Sequence, residues 1–285
     1  MIVVTAPTGQ IGAQVVENLL KTDVPVRVVA RDPARLAPGV AERADVVQGS
    51  HGDPAVAAAA LEGADAVFWL VAADPHAATI DDAYSGFTRP VLPSLAKAGR
   101  VVGVSALGRG TPAAARAGHV TGTLALDDLI AATGVPYRAL TMPSFMDNVR
   151  RQAATIKDQG ILHGPYVPGL PLPAVATRDI AAVATGLLLD NTWTGFEEVP
   201  VIGPEDLTWT EIAAVISDVL GRPVRYEQTP PDVFKANMRR FGSSEAVAQA
   251  YLDMALAKNN GLDAVAPATP RTPTTFRQWC LDNLA

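Results

Sequence analysis

Thr5-Ala-Pro-Thr-Gly9-Gln-Ile-Gly12 decides the reading of this chain, because of what stands on either side of it. Ile2–Thr5 is a β-branched run with strand character. Beyond the loop, Ile11, Val15, Val16, Leu19 and Leu20 recur at helical spacing over Gln10–Lys21. A Gly-rich turn that opens a helix aims backbone N–H groups, and the positive end of the helix dipole, at an anion such as a pyrophosphate. Gly9 allows a phosphate to approach the backbone, and Gly12 allows the helix to pack closely on the strand. An ordinary tight strand-to-helix turn without a ligand is the alternative reading; the strand–turn–helix context favours cofactor binding.

Working outward, the same alternation repeats. Val26–Ala30, Asp45–Gln48, Ala66–Ala72, Val101–Ser105 and Tyr137–Thr141 read as further strands, with helices over Phe87–Ala98 and Leu124–Thr133. These apolar runs do not alternate with polar residues, so both faces are buried. The pattern predicts a doubly wound parallel α/β sheet with a smaller C-terminal α/β lobe. Past Pro143 the texture changes. His163–Pro173 is a Pro- and Gly-rich loop, Asp179–Leu189 a helix and Val199–Ile202 a short strand whose Pro200 favours an edge. Thr208 to Glu211 is a capping box, 228–262 reads as helical, and a last helix covers about Thr274–Asn283. The division expected is a nucleotide-binding domain over 1–150, completed by part of 175–202, and a mainly substrate-binding lobe over 151–285.

Composition narrows the class. The 285 residues are 48% hydrophobic and only 18% charged, with net charge -6 and one cysteine, Cys280. A lone cysteine excludes a disulfide scaffold, and an acidic chain disfavours direct nucleic-acid binding, which needs clustered Lys and Arg. No apolar run approaches the roughly 20 residues of a membrane helix, and the N-terminus runs straight into a strand without a basic leader. A soluble cytoplasmic protein is expected. The four histidines are scattered, so no metal site is expected.

The second strand ends Val28-Val-Ala-Arg31-Asp-Pro-Ala-Arg35. Dinucleotide folds carry an acidic residue about 20 positions past the glycines to bond the ribose 2′-hydroxyl of NAD. Arg31 occupies that place, and a guanidinium pairs with a 2′-phosphate, so NADP is favoured over NAD. The alternative is that Arg31 solvates the strand end and Asp32 selects NAD.

With TAPTGQIG, ARDPARL, VVGVSALG (101–108), GVPYRALTMPSFMDN (134–148) and GPEDLTWTEIA (203–213), nearly the whole chain resembles the NmrA-like branch of the atypical short-chain dehydrogenases/reductases. The resemblance implies a Rossmann domain that binds NADP or NAD under a small C-terminal lobe. The family includes NAD(P)H-dependent quinone, azo and isoflavone-type reductases, and redox-sensing regulators that bind cofactor without turnover. It places Thr5, Pro7, Thr8, Gly9, Gln10, Ile11 and Gly12 along the cofactor, with Arg31 and Arg35 after the second strand. Ser50, then Leu70, Val71 and Ala72, then Ser105 and Pro143 follow at the ends of later strands.

The chain also departs from the family. Ala6 replaces the first loop glycine, and Pro7 predicts an extended Ala6. Gly49-Ser-His-Gly-Asp53 replaces Gly-Asp-x-x-Asp, so Ser50 and His51 are expected to touch the adenine side only loosely. Met142-Pro143-Ser144 replaces Arg-Pro-Gly.

Active short-chain dehydrogenases use a Tyr and a Lys four residues later. Here His119 and Thr123 hold those positions, and Ser105 holds the family serine position. His119 reads either as a proton donor, with an unperturbed pKa of about 6.5, or as an ordinary helix-start residue. Ser105 and Thr123 are candidate hydrogen-bond donors, and Ser105 alternatively caps its strand. Asp127-Asp128 reads as a solvated face and Cys280 as buried filler. Phe145, Met146 and Tyr166 are the candidates for the substrate wall, with packing between lobes as the alternative. Three functions follow: an NAD(P)H-dependent oxidoreductase acting on a small quinone, azo, enone or carbonyl-type compound; a non-catalytic cofactor-binding sensor with a protein partner; and a cofactor-retaining cyclase or isomerase.

Overall fold

The computed structural model describes residues 1–285. The chain runs β1 (Ile2–Thr5), α1 (Gln10–Leu19), β2 (Val26–Ala30), α2 (Val40–Arg43), β3 (Asp45–Gln48), α3 (Pro54–Leu61) and β4 (Ala66–Trp69). Short helical pieces α4 (Ile80–Ala83), α5 (Ser85–Thr88) and α6 (Leu92–Leu95) lead to β5 (Val101–Ala106), α7 (His119–Ala131) and β6 (Tyr137–Met142). Then come β7 (Ser144–Phe145), α8 (Ala153–Gln159), β8 (Ile161–Gly164), β9 (Leu172–Val175), α9 (Thr177–Leu189) and β10 (Phe196–Pro200). The chain finishes with β11 (Asp206–Leu207), α10 (Trp209–Leu220), β12 (Arg225–Gln228), α11 (Pro231–Arg240), α12 (Glu245–Asn259) and α13 (Phe276–Asn283).

Seven strands form one parallel sheet in the order β10-β6-β5-β4-β1-β2-β3. Successive side chains of each strand feed two different cores. Val4, Val28, Phe68, Val102 and Leu140 face α1 and α9, where Val15, Leu19, Ile180, Ala184 and Leu188 pack. Their neighbours Val3, Val29, Val67, Val101 and Ala139 face α3, α6 and α7 through Ala57, Leu61, Leu95, Leu126 and Ile130. This is a doubly wound Rossmann arrangement, and burial of both faces is why the strands show no polar alternation. A third core, holding Met146, Ile212, Ile216, Phe276 and Trp279, forms the smaller C-terminal lobe. Its sheets are short: β11-β9-β7, and β12 paired with β8.

Several boundaries differ from the sequence reading, each for a local reason. The expected helix over 87–98 is broken into pieces, because Pro90 and Pro93 cannot donate backbone bonds inside a helix. The strand expected at 199–202 is β10, displaced to 196–200; it lies on the sheet edge, where Pro200 costs no central ladder bond. The span 228–262 is not one helix. Gln228 ends β12, Pro230 and Pro231 open α11, and Ser244 caps α12 through the Val247 N–H. β4 stops at Trp69, short of Ala72. Helix α3 is an addition to the sequence reading, although Asp53 caps it and Pro54 begins it. Short strands β8 and β9 flank and enter the ends of the Pro-rich loop.

The expectation of an extended Ala6 is overturned. Ala6 is the one non-glycine residue with positive φ, at 51°. Its carbonyl accepts the Gly9 N–H at 3.0 Å and lies against Gly12, where a Cβ would come within 2.2 Å of the oxygen. That double engagement fixes the peptide, and Pro7 does not override it. A left-handed L-residue costs about 1–2 kcal/mol, partly offset here because alanine restricts the unfolded chain more than glycine. Ala6→Gly is therefore expected to stabilise the protein by roughly 1 kcal/mol in urea unfolding, and a loss of stability would show that the loop carries no strain.

Candidate cofactor and substrate site

The loop delivers α1 with its N-terminus open. Gly9 is the N-cap and contributes no side-chain bond, and no acidic residue lies in the first turn. The N–H groups of the first turn have no partner within the helix, so an anion meets no competing carboxylate there. The residues fit a pyrophosphate. Thr5 serves the sheet instead. Its hydroxyl donates to the Phe68 carbonyl and accepts from the Leu70 N–H, both at 2.9 Å, which ties β1 to the end of β4.

Beside the loop, Thr8, Arg31, Asp32 and Arg35 line a cleft of about 360 Å³. Neither guanidinium has an acidic partner within 4.0 Å. Asp32 accepts the Ala34 N–H at 3.2 Å and so caps the turn that presents Arg35. The two cations have no acidic partner, and Oδ1 of Asp32 is engaged by its own turn.

The other expected cofactor residues gather at the same C-terminal edge. Leu70, Val71 and Ala72 follow β4, Ser105 ends β5, and Pro143 follows β6. Ser50 follows β3, with its hydroxyl accepting the Gly52 N–H at 3.3 Å. His51 turns inward instead of toward a ligand. Its Nε2 lies 3.0 Å from the Leu70 carbonyl, and its ring packs edgewise on Trp69 and Phe87. Burial lowers this imidazole to about 4.

The three candidate catalytic residues separate into two groups. His119 begins α7, enclosed between Tyr84, which shares a 3.0 Å hydrogen bond with Nδ1, and Tyr251, whose ring centroid lies 4.1 Å away. Nε2 is buried without a partner, and burial lowers the imidazole to about 4. Thr123 donates its hydroxyl to the His119 carbonyl at 2.9 Å, inside its own helix. Ser105 belongs elsewhere: its hydroxyl donates to the Asp127 carboxylate.

Asp127 corrects the sequence reading. It is fully buried, whereas Asp128 is exposed and pairs with Arg109 at 2.7 Å. Adjacent helical positions point about 100° apart, so only one of the pair is the solvated face. The signal lay in spacing: His119, Thr123 and Asp127 follow at four-residue intervals on α7. Tyr84 and Tyr251 carried no comparable signal, since they reach His119 from distant helices.

Phe145 is half-buried against the α1–α9 core, and Met146 is buried in the C-terminal core. Tyr166 stacks on Trp209 with centroids 5.0 Å apart, and its backbone carbonyl accepts the Tyr226 hydroxyl at 2.9 Å. Asn259 of α12 holds the same loop through Pro165 and Val167, each at 3.1 Å. Cys280 is fully buried, which pushes its thiol up to about 12. No helix is long and apolar enough to cross a membrane, and no cluster of three His, Cys, Asp or Glu residues is placed to hold a metal.

A parallel sheet, an uncapped helix N-terminus at its C-terminal edge and a cationic cleft beside it define a dinucleotide-binding α/β protein. The chain belongs to the NmrA-like family, which it matches over residues 126–276, and residues 7–191 match the NAD(P)H-binding family. It is 33% identical to the (4-alkanoyl-5-oxo-2,5-dihydrofuran-3-yl)methyl phosphate reductase of Streptomyces griseus, over 99% of this chain and 98% of that one. It is 29% identical to the NAD(P)H azoreductase of Xenophilus azovorans, over 98% and 96%. The NADPH complex of the Escherichia coli quinone oxidoreductase QOR2 shares the fold, with TM-score 0.80 at 23% identity over 100% of this chain and 99% of that one.

The two enclosed histidines make a testable pair. Their folded pKa values lie below the unfolded value of about 6.5, so the folded state binds fewer protons between about pH 6.5 and 4. Their contribution to stability is complete above that window and is lost as pH falls through it. Imidazole NMR titrations are expected to show no midpoint above pH 5 for His51 or His119, and a midpoint near 6.5 would show that the ring is solvated.

Proposed function

We propose that this protein is an NADPH-preferring reductase that passes hydride to a small quinone, azo, enone or carbonyl-type acceptor. The observation that carries the cofactor choice is the cleft of Thr8, Arg31 and Arg35, with both cations unpaired and Asp32 turned to its own backbone. A 2′-phosphate supplies a charge partner for the two guanidiniums. Gly9 and the first turn of α1 would hold the pyrophosphate, and the residues ending β4, β5 and β6 would run beneath the nicotinamide end. In this reading residues 1–150, with part of 175–202, hold the cofactor, and 151–285 shape the acceptor pocket with Phe145, Met146 and Tyr166. The reduced cofactor, when bound, supplies the hydride.

The reaction class is supported by the relatives, one a reductase of a furanone methyl phosphate and another an azoreductase. Because His119 and Thr123 hold the usual Tyr and Lys positions, ordinary tyrosine-assisted carbonyl reduction fits the chain poorly. An acceptor activated by conjugation needs mainly positioning and one proton. A non-catalytic redox sensor is the second reading. The enclosed His119 and the internally bonded Thr123 favour it, since neither presents a free donor.

Mixing the purified protein with NADPH and a panel of quinones, azo dyes and enones separates the two readings. Oxidation of NADPH with at least one acceptor is expected; tight binding without oxidation across the panel would favour the sensor. Arg31→Asp removes a charge-assisted bond of about 1.5–3 kcal/mol, so the NADPH Kd is expected to rise at least tenfold while that of NADH changes little. An unchanged ratio would remove the 2′-phosphate assignment.

A further inference from the structure

We propose that Asp127, acting through Ser105, stores the proton that completes reduction of the acceptor. The proposal rests on the reductase reading, and the geometry behind it is a built network. Asp127 sits on α7 behind the end of β5, with no exposed surface. Its Oδ2 accepts from Ser105, and its Oδ1 accepts from the Tyr137 hydroxyl at 2.6 Å. Gly103 of β5 makes that second bond possible: a Cβ there would stand 2.3 Å from the Tyr137 Oη. Arg109 approaches Oδ2 at 3.7 Å and is held by Glu198 of β10, Asp128 and the Leu124 carbonyl.

The charged or titratable groups that face Asp127 are Tyr137 from β6, Arg109 from the loop after β5, and Glu198 from β10. Burial dominates over the bonds from Ser105 and Tyr137 and over Arg109, and pushes the carboxyl up to about 7. The carboxyl therefore holds its proton well above the ordinary carboxylate range while out of contact with water.

The direction of one hydrogen bond decides what Ser105 does. With Asp127 ionised, the only proton of Ser105 points inward and none is left for a ligand. With Asp127 protonated, Oδ2–H donates to Ser105 Oγ and the serine O–H is free to donate at the edge of the sheet. Hydride addition leaves the acceptor with one negative charge on a conjugated oxygen or nitrogen. Ser105 gives its proton to that atom, Asp127 gives its proton to Ser105, and the carboxylate left behind keeps the Tyr137 bond and the Arg109 charge. The acceptor gains a hydride and a proton, and the dinucleotide loses the hydride. Asp127 regains its proton through Ser105 once product leaves and water enters. Asp127 is thus a positioning residue, and Ser105 is the group that meets the acceptor.

Asp127→Asn keeps the shape, accepts from Tyr137 through its amide oxygen and donates to Ser105 Oγ through its amide N–H, as the protonated acid would, but has no proton to release. With NADPH and a quinone that the wild-type protein turns over, the variant is expected to lose at least tenfold in kcat, with KM and NADPH Kd within twofold. The fall in wild-type kcat as pH rises through about 7 is expected to vanish. Ser105→Ala is expected to show a similar loss, and the double variant no further loss, as for residues acting as one unit. Side-chain carboxyl NMR of the cofactor-free protein is expected to place the Asp127 midpoint between pH 6 and 8. Turnover with an unaltered pH profile in Asp127→Asn, or an Asp127 midpoint below 5, would overturn the relay alone. Absence of NADPH oxidation by the wild-type protein with every acceptor would overturn the reductase reading, and the relay with it.

Discussion

The approach of the Ala6 carbonyl to Gly12 is the contact on which the rest of this structure depends. It leaves no room for a side chain at position 12 of α1 and goes with a left-handed conformation at Ala6 itself. In return it sets the first turn of α1 directly above the end of β1. The position of α1 then fixes that of α9, which packs along it and closes one face of the sheet. The same contact aims the unpaired N–H groups outward, so one steric constraint serves both the core and the anion site. That site is built from backbone groups, so alanine in the first glycine position leaves it open.

This is also why the first half of the fold is legible in the sequence. Continuous apolar runs and a glycine turn report burial and close approach, which are local and depend on few residues. The elements that differ from the sequence reading depend on competition instead. Between Phe87 and Ala98 helical propensity competes with two prolines, and the outcome is a chain of short pieces rather than one helix. In the span 228–262, residues with helical character begin with a strand, because Arg225–Gln228 pairs with β8 from far away in sequence. Pairing of that kind leaves no periodic trace.

The site divides in the same way. The glycine turn and the two arginines beside it can be located from spacing alone, because a turn at a helix start and a cation after a strand leave local traces. On α7 spacing shows which residues share a face but not what they touch. His119 occupies the expected position yet is surrounded by Tyr84 and Tyr251, which arrive from α4–α5 and α12. Asp127 looks in sequence like half of a solvated pair, and only the placement of Ser105, Gly103 and Tyr137 on β5 and β6 shows what it bonds. A side chain's chemistry is read from its neighbours, and these neighbours come from elements far apart in the sequence.

The contrast between anchor and proton source has a physical basis. A pyrophosphate must meet several N–H groups at fixed positions, so the loop tolerates little change. A proton needs one donor within reach and a group behind it that can release charge, and many residue pairs meet that condition. Loss of a Tyr/Lys pair therefore need not end reduction; it moves the demand to whichever buried acid the fold supports. In this chain most carboxylates lie at the surface, while Asp127, Asp147, Asp179 and Asp263 are buried. Of these, Asp127 is the one bonded to Ser105; burial raises its proton affinity, and Tyr137 and Arg109 limit the cost of ionising it.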